Sequence, residues 1–244
     1  MTNEGIAQRI ADSLILEPGK ANVLEIGPGK AMLTKYLLEK DFELKCVEAD
    51  SDMVDFLNAN FPALHGRIIA ADFLKLDLES VFGGQSFCII GNFPYNISSQ
   101  IVFKMVENRL IVPQLVGMFQ KEMAQRIIAP PGGKDYGVIS VLTQAFYEGK
   151  YLFSVAPGSF NPPPKVQSGV IRLVRKEEEL GCDPALFRKV VKQAFSQRRK
   201  MLRNTVRTFF ESNPEALEED YFRQRPEVLS VPDFVALTNR IAGK

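Results

Sequence analysis

A chain of 244 residues, 45% apolar and 24% charged, can bury a real core as one large domain or as a medium domain with a small appendix. No apolar run reaches the length that crosses a bilayer, and the start MTNEGIAQRI lacks a signal peptide's apolar stretch, so a cytoplasmic protein without a membrane partner is expected. The net charge of +1 hides eight basic residues and no acid between Ala185 and Phe210, followed by five acids between Glu211 and Asp220.

Taken in chain order, residues 6–16 carry apolar side chains at helical spacing, with Pro18-Gly19 as the stop. A short apolar run, Ala21–Ile26, is broken by Gly27-Pro28-Gly29 and followed by a helical pattern over Ala31–Glu39. Glu43–Val47 reads as a strand ending in Glu48-Ala49-Asp50, and Asp52–Asn60 as a helix. His65, the sole histidine, follows Pro62 in a turn-like segment and is expected on a surface loop. Arg67–Ala71 ends at Asp72, and Phe87–Gly91 ends at Asn92. Ser98 or Ser99 is expected to cap the next helix, which buries Ile101, Val102, Met105 and Val106. Leu115–Phe119 is a further strand, before a helix over Glu122–Ile128.

After Tyr136 the texture changes. Tyr151–Val155 and Gly169–Val174 read as a hairpin-like pair closing the sheet, with Asn161-Pro162-Pro163-Pro164 between them. Polarity rises at Lys176–Gly181, and beyond Asp183-Pro184 the pattern is of short helices. The expected fold is therefore α/β: a Rossmann-like sheet with helices on both faces over residues 1–178, and a small all-α domain over 179–244.

Cys46, Cys88 and Cys182 are odd in number and far apart, and two lie in apolar runs, so buried thiols are expected rather than a disulfide framework. One histidine and no CxxC pair argue against a zinc site, and no metal is expected. A Ser/His/Asp triad is weakened for the same reason.

In a parallel sheet, ligands sit at the carboxyl ends of the strands. Gly27/Gly29, Glu48, Asp72 and Asn92 each fall at such an end, on four successive strands. The glycines allow close backbone approach by a ligand, Glu48 can accept both hydroxyl hydrogens of a ribose, and Asp72 can accept from an adenine amine beside the apolar Phe73. Alone, Glu48 would read better as a solvated acid. The turn ExGxG lacks the GK[ST] ending of a phosphate cradle, so an adenosine ligand without phosphates, S-adenosylmethionine, is favoured over NAD or ATP.

Asn92-Phe93-Pro94-Tyr95 suits methyl transfer to an exocyclic adenine amine. That nitrogen's lone pair is delocalised into the ring. The Asn92 side-chain oxygen and a backbone carbonyl near Phe93 or Pro94 can hold its two hydrogens and aim it, so that alignment and electrostatics supply the catalysis. Pro94 would stiffen the turn, and Tyr95 would stack on the withdrawn base. Outside this setting the same four residues would be an ordinary turn with a surface aromatic.

With these elements in place, the sequence resembles the ribosomal RNA adenine N6-dimethyltransferase family, specifically its bacterial small-subunit (KsgA-type) members. The resemblance is carried by LEIGPGKAMLT (24–34), VEAD (47–50), ADFLKLD (71–77) and GNFPYNISSQI (91–101). It continues through FQKEMAQRI (119–127), YGVISVLTQAFY (136–147), SFNPPPKVQSGVIRL (159–173) and QRRKMLRN (197–204), and so spans nearly the whole chain. NFPY in that frame is specific; ExGxG is not.

The resemblance implies S-adenosylmethionine contacts at Gly27, Glu48, Asp72 and Asn92, and target-adenine contacts at Asn92, Pro94 and Tyr95. Phe160 would be a second ring beside the base, with a core aromatic ahead of a proline loop as the alternative. It also implies that two methyls are placed on each of two adjacent adenosines near the 3′ end of 16S rRNA in the 30S particle, in small-subunit biogenesis. Arg198, Arg199, Lys200 and Arg203 would meet RNA phosphates, or else form a solvated cationic face. RPEVLSVPDFVALTN (225–239) resembles the small-subunit tail rather than that of 23S rRNA methyltransferases. A monomer is expected. The alternatives are a 23S rRNA or DNA adenine methyltransferase, and an RNA-binding ribosome assembly factor with impaired catalysis.

Family members begin with a lysine-rich stretch and a G-Q-[NH]-F-L segment that contributes to the cofactor pocket. Met1-Thr2-Asn3-Glu4 stands roughly where that segment would end, so weakened cofactor binding is expected relative to a full-length relative.

Overall fold

The computed structural model describes residues 2–16 and 21–243. Its centre is one seven-stranded sheet in the order β3-β2-β1-β4-β5-β7-β6. The strands are β1 (Asn22–Ile26), β2 (Glu43–Glu48), β3 (Ile68–Ala70), β4 (Cys88–Asn92), β5 (Gln114–Gln120), β6 (Tyr147–Val155) and β7 (Ser168–Arg175). The α-helices are α1 (Glu4–Ala11), α2 (Thr34–Leu37), α3 (Ser51–Asn60), α4 (Leu78–Val81), α5 (Ser98–Glu107), α6 (Lys121–Ile127), α7 (Val138–Gln144), α8 (Pro184–Ala194), α9 (Leu202–Thr205) and α10 (Val231–Ile241). Strands β1 to β5 pair in parallel, and β7 pairs antiparallel to β5, from Gln114 against Val174 to Gln120 against Ser168. The chain winds outward from β1 to β3 and then returns to lay β4 on the other side of β1. Right-handed crossovers then place the connections of the two halves on opposite faces. This is the expected Rossmann-like sheet, with β6 beside β7 at its edge.

The central strands are apolar because both faces are covered. Val23, Leu24, Ile89, Ile90, Leu115 and Val116 are fully buried. Cys46 and Cys88 are free and buried, and His65 is exposed, as their settings suggested.

Three local expectations are corrected. The first helix, α1 (Glu4–Ala11), stops before residue 16. Gln114 explains the early stop, since its side-chain amide accepts from the Ile15 N–H (3.0 Å) and donates to the Ile15 carbonyl (2.8 Å). That backbone is thus paired outside any helix. Pro18-Gly19 lies outside the described residues. The second helix is only α2 (Thr34–Leu37), because Ala31 holds φ of 61°, a left-handed conformation from which a right-handed helix cannot run. Neither Ser98 nor Ser99 caps α5 (Ser98–Glu107); Ile97 is the capping residue, and the Ser98 hydroxyl instead donates to the Tyr95 carbonyl at 3.0 Å.

Chain contacts divide the protein into two units, 1–125 with 148–175, and 126–147 with 176–244. The expected boundary at 178/179 keeps 126–147 with the first part of the chain. Here that segment, including α7 (Val138–Gln144), groups with the later helices. The second unit has its own core: Tyr136, Phe187, Val190, Phe222 and Phe234 are fully buried, and the Tyr136 hydroxyl donates to the Leu229 carbonyl at 2.8 Å. Its two long helices start on side-chain caps, Asp183 for α8 (Pro184–Ala194) and a Ser230/Asp233 capping box for α10 (Val231–Ile241). No helix among the described residues is long and apolar enough to cross a membrane.

Candidate active site

The order of the sheet sets Gly27, Glu48, Asp72 and Asn92 side by side, at or just beyond the carboxyl ends of β1, β2, β3 and β4. The reversal of winding falls between β1 and β4, the place where open α/β sheets bind ligands. Four acceptor or glycine positions, dispersed over 66 residues of sequence, thereby share one edge.

The β1 loop has three left-handed residues, Gly27 (φ 65°), Gly29 (φ 52°) and Ala31. A Cβ built on either glycine would meet no atom within 4 Å, so the space above the loop is open and the glycines serve the backbone turn. Glu48 ties this loop to β2. One carboxylate oxygen accepts from the Gly29 N–H (3.2 Å), and the other accepts from the Ala49 (2.9 Å) and Asp50 (3.1 Å) N–H groups. A carboxylate has about four lone-pair sites, so acceptor capacity is left for a hydroxyl. Asp72 is exposed, and one of its oxygens accepts from the Leu74 N–H at 2.9 Å.

Beneath the loop lies a residue that the sequence reading passed over. Glu25, on β1, is 1% exposed and accepts a weak hydrogen bond from the Cys46 thiol at 3.7 Å. Burial, which disfavours the charged form, raises its pKa to about 7 against the partly offsetting Thr34 and Cys46 side chains; the nearby Glu48 adds to the rise. Burial likewise pushes the Cys46 thiol up, with help from the Glu25 charge.

The Asn92–Tyr95 turn is held by its second residue. Phe93 is 1% exposed and meets Phe119 edge-on, with ring centroids 5.0 Å apart. Its ring occupies the space that Cβ atoms at two glycines would need. A Cβ on Gly91 would stand 2.7 Å from it, and one on Gly117 would stand 2.1 Å away. The isolated glycines inside two apolar strands were the sequence signal for this close approach. Gly117→Ala is therefore expected to cost about 1–3 kcal/mol in urea unfolding and to lower turnover with it. Unchanged stability would mean the ring is free to move.

Tyr95 is fixed at both ends, by its carbonyl to Ser98 and by its hydroxyl, which shares a 2.7 Å hydrogen bond with the buried Ser168 hydroxyl. Ser168 was another omission from the sequence reading. It begins β7, and the antiparallel run of that strand brings its start to the same edge as the ends of β4 and β5. Asn92, Phe93, Pro94, Tyr95, Phe160, Pro162 and Pro164 line one cavity of about 340 Å³. Phe160 both lines this cavity and packs against the core.

The four basic residues of the second unit differ in their settings. The Arg198 guanidinium is engaged, Nε donating to Glu227 at 3.0 Å and a terminal nitrogen to the Gly133 carbonyl at 3.0 Å. Arg199 and Lys200 are exposed, and Arg203 is half-buried on the short α9 (Leu202–Thr205).

Residues 1–230 match the family model described as ribosomal RNA adenine dimethylase. Ribosomal RNA small subunit methyltransferase A of Parabacteroides distasonis is 53% identical over 96% of this chain and 87% of its own length. The protein of that name from Flavobacterium johnsoniae is 51% identical over 99% of this chain and 92% of its own. Among solved structures, a dimethyladenosine transferase from Plasmodium falciparum superposes with a TM-score of 0.83 at 26% identity, covering 99% of this chain and 98% of that one. The 23S rRNA methyltransferase ErmE shares the fold, with a TM-score of 0.72 at 23% identity over 98% of each chain. The chain belongs to the ribosomal RNA adenine dimethylase family, and is an S-adenosylmethionine-dependent methyltransferase of rRNA adenine.

Proposed function

We propose that this protein dimethylates the N6 amines of two adjacent adenosines near the 3′ end of 16S rRNA, in the cytoplasmic 30S subunit or its precursor, acting as a monomer. The observation that carries this reading is the shared edge: an open glycine loop and two carboxylates on one side of β4, and the Asn92–Tyr95 cavity on the other. The names of the Parabacteroides distasonis and Flavobacterium johnsoniae relatives favour the small subunit over the large one.

The first half of the edge fits an adenosine-bearing cofactor. Open space above Gly27 and Gly29 admits the ligand, and Glu48 and Asp72 offer acceptors for ribose hydroxyls and an adenine amine. S-adenosylmethionine supplies an electrophilic methyl there. The residues of the chain act on the acceptor. In the first transfer Asn92 accepts from one amine hydrogen and a carbonyl of the turn accepts from the other; in the second the monomethylated amine has one hydrogen left, which one of these two acceptors holds. These bonds favour a tetrahedral nitrogen over the flat, delocalised one and need no prior deprotonation, and the nitrogen, cationic once methylated, then releases a proton to water. Tyr95, held by Ser168, and Phe160 provide ring faces for the extruded base.

Arg199, Lys200 and Arg203 contact RNA phosphates in this reading, and Arg198 braces the loop at Gly133. Replacing Arg199 and Lys200 by Ala is expected to flatten the dependence of log K on log salt by about one unit per lost phosphate contact. Arg198→Ala is expected to lower stability and to change that slope least. An unchanged slope in the double variant would return Arg199 and Lys200 to solvent.

The deciding experiment incubates the protein and labelled S-adenosylmethionine with unmethylated 30S particles, 50S particles and DNA. Label on 30S adenosine alone is the expected result. Label on 50S or DNA would move the substrate assignment, and 30S binding without label would favour an assembly factor.

A further inference from the structure

We propose that Lys104 is a positioning residue for the cofactor: from helix α5 it clamps the turn carrying Asp72, and so couples the cofactor side of the edge to the Asn92–Tyr95 turn. This rests on the reading of Asp72 as a cofactor acceptor.

The Lys104 ammonium donates to two main-chain carbonyls of that turn, Leu74 at 2.9 Å and Leu76 at 2.5 Å. It also stands 5.4 Å from the centroid of Phe73, which is 4% exposed and adjacent to Asp72 in sequence. Within the turn, the Asp72 side chain accepts from the Leu74 N–H, and its carbonyl accepts from the Lys75 and Leu76 N–H groups. The N–H groups of the turn thus converge on Asp72 while two of its carbonyls converge on Lys104. Movement of the carbonyls would carry the carboxylate with them.

On this side the turn borders open space. Leu74, Gln100, Phe103, Lys104, Glu107 and Asn108 border a cavity of about 310 Å³, and the ammonium reaches the turn beside that space. Desolvation lowers the Lys104 pKa, while Asp72, Asp77 and Glu107 offset it, as suits a cation drawn inward toward fixed dipoles. The same helix begins three residues after Tyr95, and its first residue, Ser98, is bonded to the Tyr95 carbonyl. One helix therefore grips the substrate turn at its start, through Ser98, and the Asp72 turn less than two helical turns later, through Lys104.

The test is calorimetric titration of the full chain with S-adenosylhomocysteine, using Lys104→Met, Lys104→Gln, Lys104→Arg, Asp72→Asn and the Lys104→Met/Asp72→Asn double variant. Lys104→Met is expected to weaken binding about tenfold, the loss of a charge-assisted pair of hydrogen bonds. Lys104→Gln, which is uncharged and one atom shorter but keeps an N–H donor, stands in if the Met variant does not fold. Lys104→Arg is expected to retain most of the affinity. The double variant is expected to lose no more than Asp72→Asn alone, because both changes disable the same contact. In turnover assays, KM for S-adenosylmethionine rises while kcat at saturation is retained, a split that general loosening of the fold would not give. Unchanged affinity in the Lys104 variants, with Asp72→Asn impaired, overturns the proposal and leaves the Asp72 reading intact. Additive losses also overturn it. Unchanged affinity in Asp72→Asn removes the Asp72 reading, and the proposal with it.

Discussion

Asn92→Ala is expected to cut methyl transfer by about a hundred- to a thousandfold while leaving affinity for 30S particles unchanged, the size of effect seen when one preorganised polar partner of a transition state is removed. The side chain sits at the end of β4, in the cavity that also holds Pro94, Tyr95 and Phe160. On the proposed role its hydrogen bond strengthens as the amine nitrogen pyramidalises, so the loss is expected in kcat rather than in ground-state binding. The measurement is single-turnover labelling of unmethylated 30S particles alongside a particle-binding assay. Turnover equal to that of the unsubstituted protein would remove Asn92 from the chemistry. A parallel loss of particle affinity would make it a docking residue.

The second large effect is on stability. Glu25→Gln is expected to stabilise the protein by about 3 kcal/mol above pH 7.5 and to have little effect near pH 4. The folded chain holds the Glu25 proton up to about pH 7, whereas the unfolded chain releases it near the ordinary value of 4.5. Between those values the folded state carries the extra proton. This carboxyl's contribution to stability therefore falls as pH rises through that window and is level above it. Glutamine has the same shape, stays neutral throughout, and keeps an oxygen for the Cys46 thiol. Urea unfolding from pH 4 to 8 should give two curves that meet at the acid end and separate toward neutrality. Curves that stay parallel would show that Glu25 is charged in the folded protein or finds water.

The sheet and its site edge were legible in the sequence because β1, β2 and β3 are short runs closed by a glycine or an acid, and β4 by an amide. Ile26, Glu48 and Ala70 end their strands within a residue or two of where the pattern broke. Less legible was whatever depended on a distant partner. The early end of α1 is set by Gln114, 99 positions from Ile15, and the orientation of Tyr95 by Ser168, 73 positions away. Neither contact has a local periodicity to announce it. Gly91 and Gly117 were visible as glycines, but their purpose appears only when the Phe93 ring is seen lying across both. Glu25 was masked by its motif, since ExGxG draws the eye to the glycines, and burial cannot be read from one acidic letter. The segment 126–147 was hidden for another reason: its partners in the second unit lie beyond residue 176.

The reversed run of β7 divides the labour of the edge. Because that strand begins where the parallel strands finish, the proline-rich connection before it, residues 156–167, supplies Phe160, Pro162 and Pro164 to the Asn92–Tyr95 cavity and belongs to none of the rungs joining β1, β2 and β3. If that cavity takes the target base as proposed, exchanges there are expected to shift which nucleotide is admitted more than they shift cofactor affinity.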